Sequence, residues 1–505
     1  MKSSVGKGAF ILIISGLACK FFGALFRLPL TNIIKLEGIG LFQMIMSLYS
    51  LSIVIVSGGV SSALSKLVSS ARAKGDQSKI SGFFKTAIIF GLGLSFAIGI
   101  LFFLFSKQIA ALQGNGDGSI NYMLFILLLP LGSMIGIFRG IIQGYENMTP
   151  TAISQILEQM SKFVFGLAFA YLFAKNSTVQ GVFGAFLGIV ISEVLAFVYL
   201  AIIVIKKIKL SPQSDRYKKE FFSAVTPLTI SGAIYPLTQA IEALIIISLL
   251  SQAGLSSQES TAVYGIQTGV VGAILNFPLI ISMSVAVALL PKVSFLSSQN
   301  DEEGQRQIIG SSFSIMWFIL VPLIFGIISI SGNLYPIIYP QAMENYLQIA
   351  VQLTLFSGIS ILLTAIMQFL LSVLQGKGFF YYCLAFNAIG GLFKILMTII
   401  LAPLPSINIF ALPISSIVHS SIVCICALIK LGKIVKVSFF EFMLPIISSI
   451  IMYLVIGLLQ ESIGGIWSIV LSVIVGCIVY GLCAFPLVAQ YGRQLFEKLK
   501  MKKQQ

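Results

Sequence analysis

Apolar runs of roughly 20 residues recur from one end of the chain to the other, separated by short polar or charged connectors. A run of that length crosses about 30 Å of hydrocarbon as a helix. Membrane-barrel strands would be about 10 residues long with alternating polarity, and that pattern does not occur. With Gly, Pro and charge as punctuation, fourteen spans are predicted: about 8–32, 40–65, 83–106, 120–144, 151–174, 180–205, 221–250, 262–290, 308–330, 346–375, 379–402, 407–430, 440–460 and 464–490. The predicted class is an all-α integral membrane protein.

Composition agrees: 57% of the 505 residues are hydrophobic and 10% charged, against about 25% charged in a soluble domain. A net charge of +15 would suggest nucleic acid on a soluble chain. Here the cations sit mainly in short connectors and set topology instead, so no nucleic-acid partner is expected. With the N-terminus in the cytoplasm, 24 Lys and Arg fall on the inner side and 3 on the outer: Lys35, Lys107 and Lys175. The excess predicts cytoplasmic N- and C-termini in a bacterial cell membrane. Lys2 and Lys7 before an apolar run resemble a signal peptide. Lys20 follows that run and no small-residue cleavage site is evident, so a retained first span is expected.

The basic connector around 207–220 divides the chain. The segment Arg139-Gly-Ile-Ile-Gln143-Gly144 ends span four, with Lys162 following Gln143 by 19 residues; Leu371-Ser-Val-Leu-Gln375-Gly376 ends span ten, with Lys394 following Gln375 by 19. Leu64-Ser-Lys66 and Leu290-Pro-Lys292 echo each other in the same order. These echoes predict two six-helix repeats, 1–206 and 221–431, then two added spans in 432–490 and a basic tail at 491–505. Transporters built of such repeats bind substrate between them near the midplane.

Five cations lie inside spans, Lys20, Arg27, Arg139, Lys162 and Lys394, with three acids, Glu158, Glu193 and Glu242. Each costs roughly 2.5–3.5 kcal/mol on insertion scales, so each should face a partner or a wet cavity. Lys20 and Arg27 are seven apart on one face of span one, shared with Gly16 and Gly23. Pro29 is expected to interrupt that helix. Glu158 and Lys162 are four apart in the order that favours an ion pair. Arg139 and Lys394 are read with Lys20 and Arg27 as candidates for binding an anionic group. Span two carries a polar stripe of Gln43, Ser47, Ser50, Ser57, Ser61 and Ser65, the wall expected of a hydrated path. In span seven, Pro227 and Pro236 predict a broken helix with Tyr235, Gln239 and Glu242 on its polar wall. Glu242 could titrate, bind a cation, or pair with a Lys or Arg. Gly132, Gly136, Gly140 and Gly144 form a small-residue ladder that signals helix packing.

Six cysteines all lie in apolar segments, and Cys424 and Cys426 are not at a metal or redox spacing. No metal, disulfide or cofactor site is expected. A P-loop is missing from the sequence, so ATP hydrolysis is not expected, nor is a Ser/His/Asp set around the lone His419. The chain reads as a non-enzyme.

The run Gly23-Ala-Leu-Phe-Arg27-Leu-Pro29-Leu, then Glu37-Gly-Ile-Gly40-Leu-Phe-Gln43, Ala63-Leu-Ser-Lys66-Leu-Val and Ala73-Lys-Gly75-Asp76 resembles the polysaccharide/oligosaccharide flippase family. More narrowly, it is similar to the branch holding stage V sporulation protein B and the lipid II flippases. The Gln143-Gly144 and Gln375-Gly376 turns fit the same pattern. The resemblance implies the fold of the multidrug/oligosaccharidyl-lipid/polysaccharide exporter superfamily: two six-helix bundles in a V with pseudo-twofold symmetry, alternating access, and two added helices forming a groove for a polyprenyl tail. It also implies basic cavity residues on span one, here Lys20 and Arg27.

The function expected is movement of a polyprenyl-pyrophosphate sugar, such as lipid II or a polysaccharide repeat unit, from inner to outer leaflet for wall, spore-wall or polysaccharide synthesis. Lys and Arg suit a pyrophosphate. Coupling to membrane potential, H+ or Na+ is open. A monomer in the bilayer is expected, with cell-wall synthesis enzymes as possible partners. The alternative is a cation-coupled multidrug exporter of the same superfamily using Glu242 or Glu193. A non-transporting scaffold is the third reading.

Overall fold

The computed structural model describes residues 2–207, 217–435, 438–463 and 465–487. The basic tail and the middle of the basic connector lie outside the described residues. So do the side chains of the first ten residues and of Lys20, although the backbone of Lys20 is helical. Among the described residues there is no strand, as expected where lipid offers backbone groups no partners and each span must satisfy its own.

The order begins with α1 (Lys2–Ile53), a π-helical turn (Val54–Gly58) and α2 (Gly59–Ala73). Then come α3 (Gln77–Leu104), short α4 (Ser106–Leu112) and α5 (Ser119–Met123), and α6 (Phe125–Gly144). They are followed by α7 (Thr149–Ser161), a second π turn (Lys162–Gly166), α8 (Leu167–Ala174) and α9 (Thr178–Lys207). Next are α10 (Lys218–Gln252), α11 (Ser257–Gly265), a third π turn (Ile266–Val271) and α12 (Gly272–Ser298). The chain continues with α13 (Glu302–Ile338), α14 (Leu347–Gly376), α15 (Phe380–Leu401), α16 (Ala411–Leu431), α17 (Phe439–Ser462) and α18 (Gly465–Cys483).

Among the described residues, thirteen helices are long and apolar enough to cross a membrane. The first, Ile14–Ala73, has 60 residues, about 90 Å of helix and therefore enough for two crossings. It holds the first two expected spans, which meet at Lys35 (φ 60°, ψ 179°). Dividing it there recovers the fourteen spans read from the sequence. The chain is a multi-pass membrane protein.

Two expected interruptions do not occur. Pro29 lies inside α1, and the break falls at Lys35 instead. Pro227 and Pro236 both lie inside α10, which runs without a break from Lys218 to Gln252. In a densely packed bundle the carbonyls freed by proline can be re-satisfied locally, so proline alone does not end a membrane helix.

Contacts divide the chain into two compact units, Met1–Ala273 with Gly391–Leu412, and Ile274–Gly390 with Pro413–Gln505. In the first, Val60, Phe83, Ile137, Ile141, Leu200 and Phe221 form one core from α2, α3, α6, α9 and α10. The glycine ladder of α6 packs there against the second expected span. A Cβ on Gly136 would stand 1.8 Å from Ser57 Oγ, and one on Gly140 2.6 Å from the Ser61 carbonyl. In the second unit, Trp317 of α13 stacks on Phe442 of α17 at 5.0 Å and donates to its carbonyl at 3.0 Å. Tyr480 of α18 donates to the Phe318 carbonyl at 2.7 Å. The two last helices therefore pack on α13.

Candidate functional site: embedded charges of the first unit

Among the described residues, charged side chains within the spans form two groups in the first unit. The first joins α10 to α15. A Cβ on Gly391 would come within 2.7 Å of Thr238 Oγ1, so the missing side chain lets the helices cross closely. About one turn further along each helix, Lys394 Nζ meets Glu242 Oε2 at 2.7 Å. Thr398 donates to Glu242 Oε1 at 3.1 Å. Both side chains are about nine-tenths buried, and both carboxylate oxygens are engaged. Such a pair is held because separating it would leave an uncompensated buried charge.

The second group joins α6, α7 and the π turn after α7. Arg139 Nη2 reaches Glu158 Oε2 at 2.8 Å, and its Nε donates to Ser154 Oγ at 3.0 Å. This corrects the expected pairing of Glu158 with Lys162. Four-residue spacing allows the local pair, but the guanidinium arrives from a neighbouring helix and offers several donors in a fixed fork. Lys162 instead sets its ammonium 5.0 Å from the centre of the Phe26 ring, a cation–π contact. Arg27, Glu158 and Glu193 all lie within electrostatic reach of Lys162. Glu193 of α9 is buried and accepts a hydrogen bond from the Tyr49 hydroxyl.

Of the residues expected to bind an anion, Arg139 and Lys394 are thus each matched by an acid. Arg27 lies within electrostatic reach of Lys162, and the side chain of Lys20 lies outside the described residues. Elsewhere on α1, Ser15 donates to Gln155 Oε1 of α7 at 3.0 Å, and a Cβ on Gly23 would lie 3.9 Å from Gln159 Oε1 of the same helix.

Along the polar stripe the surroundings differ from residue to residue. Gln43 is buried and donates weakly to the Thr268 carbonyl at 3.5 Å. Ser47 donates to its own helix at Gln43. Ser57 and Ser61 face the glycine ladder of α6. Small hydroxyls there let helices approach, the packing use such residues also serve. Tyr235 is exposed, and Gln239 beside it donates to its hydroxyl at 3.1 Å, one turn before Glu242. The three π turns and the Tyr49–Glu193 bond were not legible in the sequence. Glu193 was visible as an embedded acid, but nothing in its spacing named a partner 144 residues away.

Comparison with known proteins settles the family. Residues 5–297, more than half of the chain, match the family model described as polysaccharide biosynthesis protein. The chain belongs to that family. This polysaccharide biosynthesis family member is 29% identical over 307 residues to stage V sporulation protein B of Bacillus subtilis (strain 168), covering 58% of each chain. It is 23% identical over 366 residues to the lipid II flippase MurJ of the same organism, covering 67% of this chain and 66% of that one. The matched regions therefore span somewhat less than two thirds of those relatives. In fold, the chain matches a structure of the lipid II flippase MurJ in an inward closed conformation with TM-score 0.75 at 16% identity, over 96% of this chain and 100% of that chain. An inward-facing multidrug resistance MATE family transporter of the MOP superfamily matches with TM-score 0.65 at 13% identity, over 83% and 95%. The exporter-superfamily fold implied by the sequence motifs is the fold of this chain.

Proposed function

We propose that this protein is a flippase that carries an anionic, lipid-linked sugar from the inner to the outer leaflet of a bacterial cell membrane, with both termini in the cytoplasm and access alternating between faces. The observation that carries the reading is the state of Glu242. An exporter of cationic drugs needs an accessible acid, and this one has both oxygens engaged by Lys394 and Thr398. On the other side of the balance, Arg27 lies within electrostatic reach of Lys162, and two cations in one region suit phosphate oxygens. A relative named as a lipid II flippase supports the same class of cargo.

Within this reading, 1–206 and 221–431 act as six-helix repeats, the helices of 432–490 assist the lipid tail, and the chain works as a monomer. Depletion of the protein tests the cargo. The expected result is accumulation of a polyprenyl-linked precursor in the inner leaflet, not restored by an Arg27→Ala variant present at normal level. Unchanged precursors together with new sensitivity to cationic drugs would favour the multidrug-exporter reading instead.

A further inference from the structure

Glu193 is the embedded acid for which the proposed transport of an anion has no use. It is 5% exposed, on α9. One carboxyl oxygen, Oε1, accepts the hydroxyl of Tyr49, which is itself buried. The other, Oε2, is fully shielded from solvent and has no hydrogen-bond partner among the described residues. A carboxylate with one oxygen unsatisfied in such surroundings is costly, whereas a neutral carboxyl is tolerated far better.

The charged or titratable groups that act on Glu193 are Tyr49 from α1, Arg139 from α6, Glu158 from α7 and Lys162 from the following π turn; Arg27 of α1 acts in turn on Lys162. Arg139 and Glu158 are already paired with each other. Lys162 makes no ion pair among the described residues and rests on the Phe26 ring. It heads the π turn Lys162–Gly166, an irregularity of the kind often found at functional sites. That turn is pressed against α9: a Cβ on Gly188 would stand 2.3 Å from the Gly166 backbone. Lys162 and the unpartnered oxygen of Glu193 therefore belong to two segments in direct contact.

We propose that Glu193 is a proton-binding site of the first unit, neutral in the arrangement seen, and that loss of its proton draws the Lys162 ammonium from Phe26 to the new carboxylate. The O–H bond of the carboxyl breaks, the proton passes to water, and the charge left on Glu193 is balanced by Lys162. Proton binding and the position of a cation on the transport helices then become linked, and linkage of this kind is reciprocal. The transport reading gives the site a use, but the existence of the site does not rest on it.

The test is a pH titration of the purified full chain in lipid, followed by the infrared C=O stretch of a protonated carboxyl. The wild type is expected to show that signal at neutral pH and lose it as pH rises. Glu193→Gln, an uncharged isostere, is expected to lack it throughout while keeping its helix content and thermal transition. Lys162→Gln removes the counter-charge, so the conversion moves to higher pH by about one unit or more. Tyr49→Phe removes a donor that favours the charged carboxylate and moves it the same way. A carboxyl signal that persists in Glu193→Gln overturns the proposal. So does a conversion that neither Lys162→Gln nor Tyr49→Phe moves, which keeps the test decisive even where the Gln variant does not fold. No cargo enters these measurements, so a failure of the site and a failure of the flippase reading are told apart.

Discussion

Lys394 and Glu242, 152 residues apart in the chain, meet at 2.7 Å inside the first unit. The contact removes one cation and one acid from the pool available to a cargo, and it joins α15 to α10.

Breaking this pair should be more harmful than deleting it. Lys394→Met alone leaves the Glu242 carboxylate buried and uncompensated, an expected loss of about 3–5 kcal/mol. The double variant Lys394→Met/Glu242→Gln should recover much of that loss. Thermal unfolding of the purified single and double variants measures the difference. Equal losses in both would show that the pair does not couple.

Arg139 and Lys162 should separate in the same assay. Arg139→Gln strands Glu158 and should lower stability by an amount similar to the Lys394 single variant. Lys162→Gln breaks no ion pair among the described residues and gives up a cation–π contact, about 0.5–2 kcal/mol. If the order were reversed, the local Glu158–Lys162 pair would be the true one.

Gly40 and Gly23 both lie in α1 and should respond in opposite ways to alanine. A Cβ on Gly40 would stand 2.1 Å from the Thr261 carbonyl of α11, whereas one on Gly23 has its nearest neighbour at 3.9 Å. Gly40→Ala is expected to lose about 1–3 kcal/mol through overpacking, and Gly23→Ala to be neutral or slightly stabilising, since alanine is the better helix former. Melting temperatures of the two variants at matched expression decide this.

Transport should respond to voltage. Outward movement of a doubly negative head group down an inside-negative potential gains about 5 kcal/mol per 100 mV. An imposed potential of that sign should speed flipping in proteoliposomes, and dissipating it with an ionophore should remove the gain. A rate indifferent to the potential would mean that the moving complex carries no net charge.

The sequence by itself determined the helical class, the number of spans and the family resemblance. These depend on local quantities: run lengths matched to a bilayer, charge in the connectors, and short motifs in the first 170 residues. The glycine ladder at 132–144 was legible too, because its packing meaning lies in its own spacing.

Tertiary structure alone decided which charges meet. Glu158 had a suitable cation four residues away, yet Arg139 took it from another helix with better geometry. Prolines 29, 227 and 236 announced breaks that the packed bundle did not need, while the bend between the first two spans fell at Lys35, inside the connector that the sequence had placed between residues 32 and 40. In lipid a buried charge or freed carbonyl must find a partner somewhere, and spacing along one helix cannot say which of its neighbours will supply it.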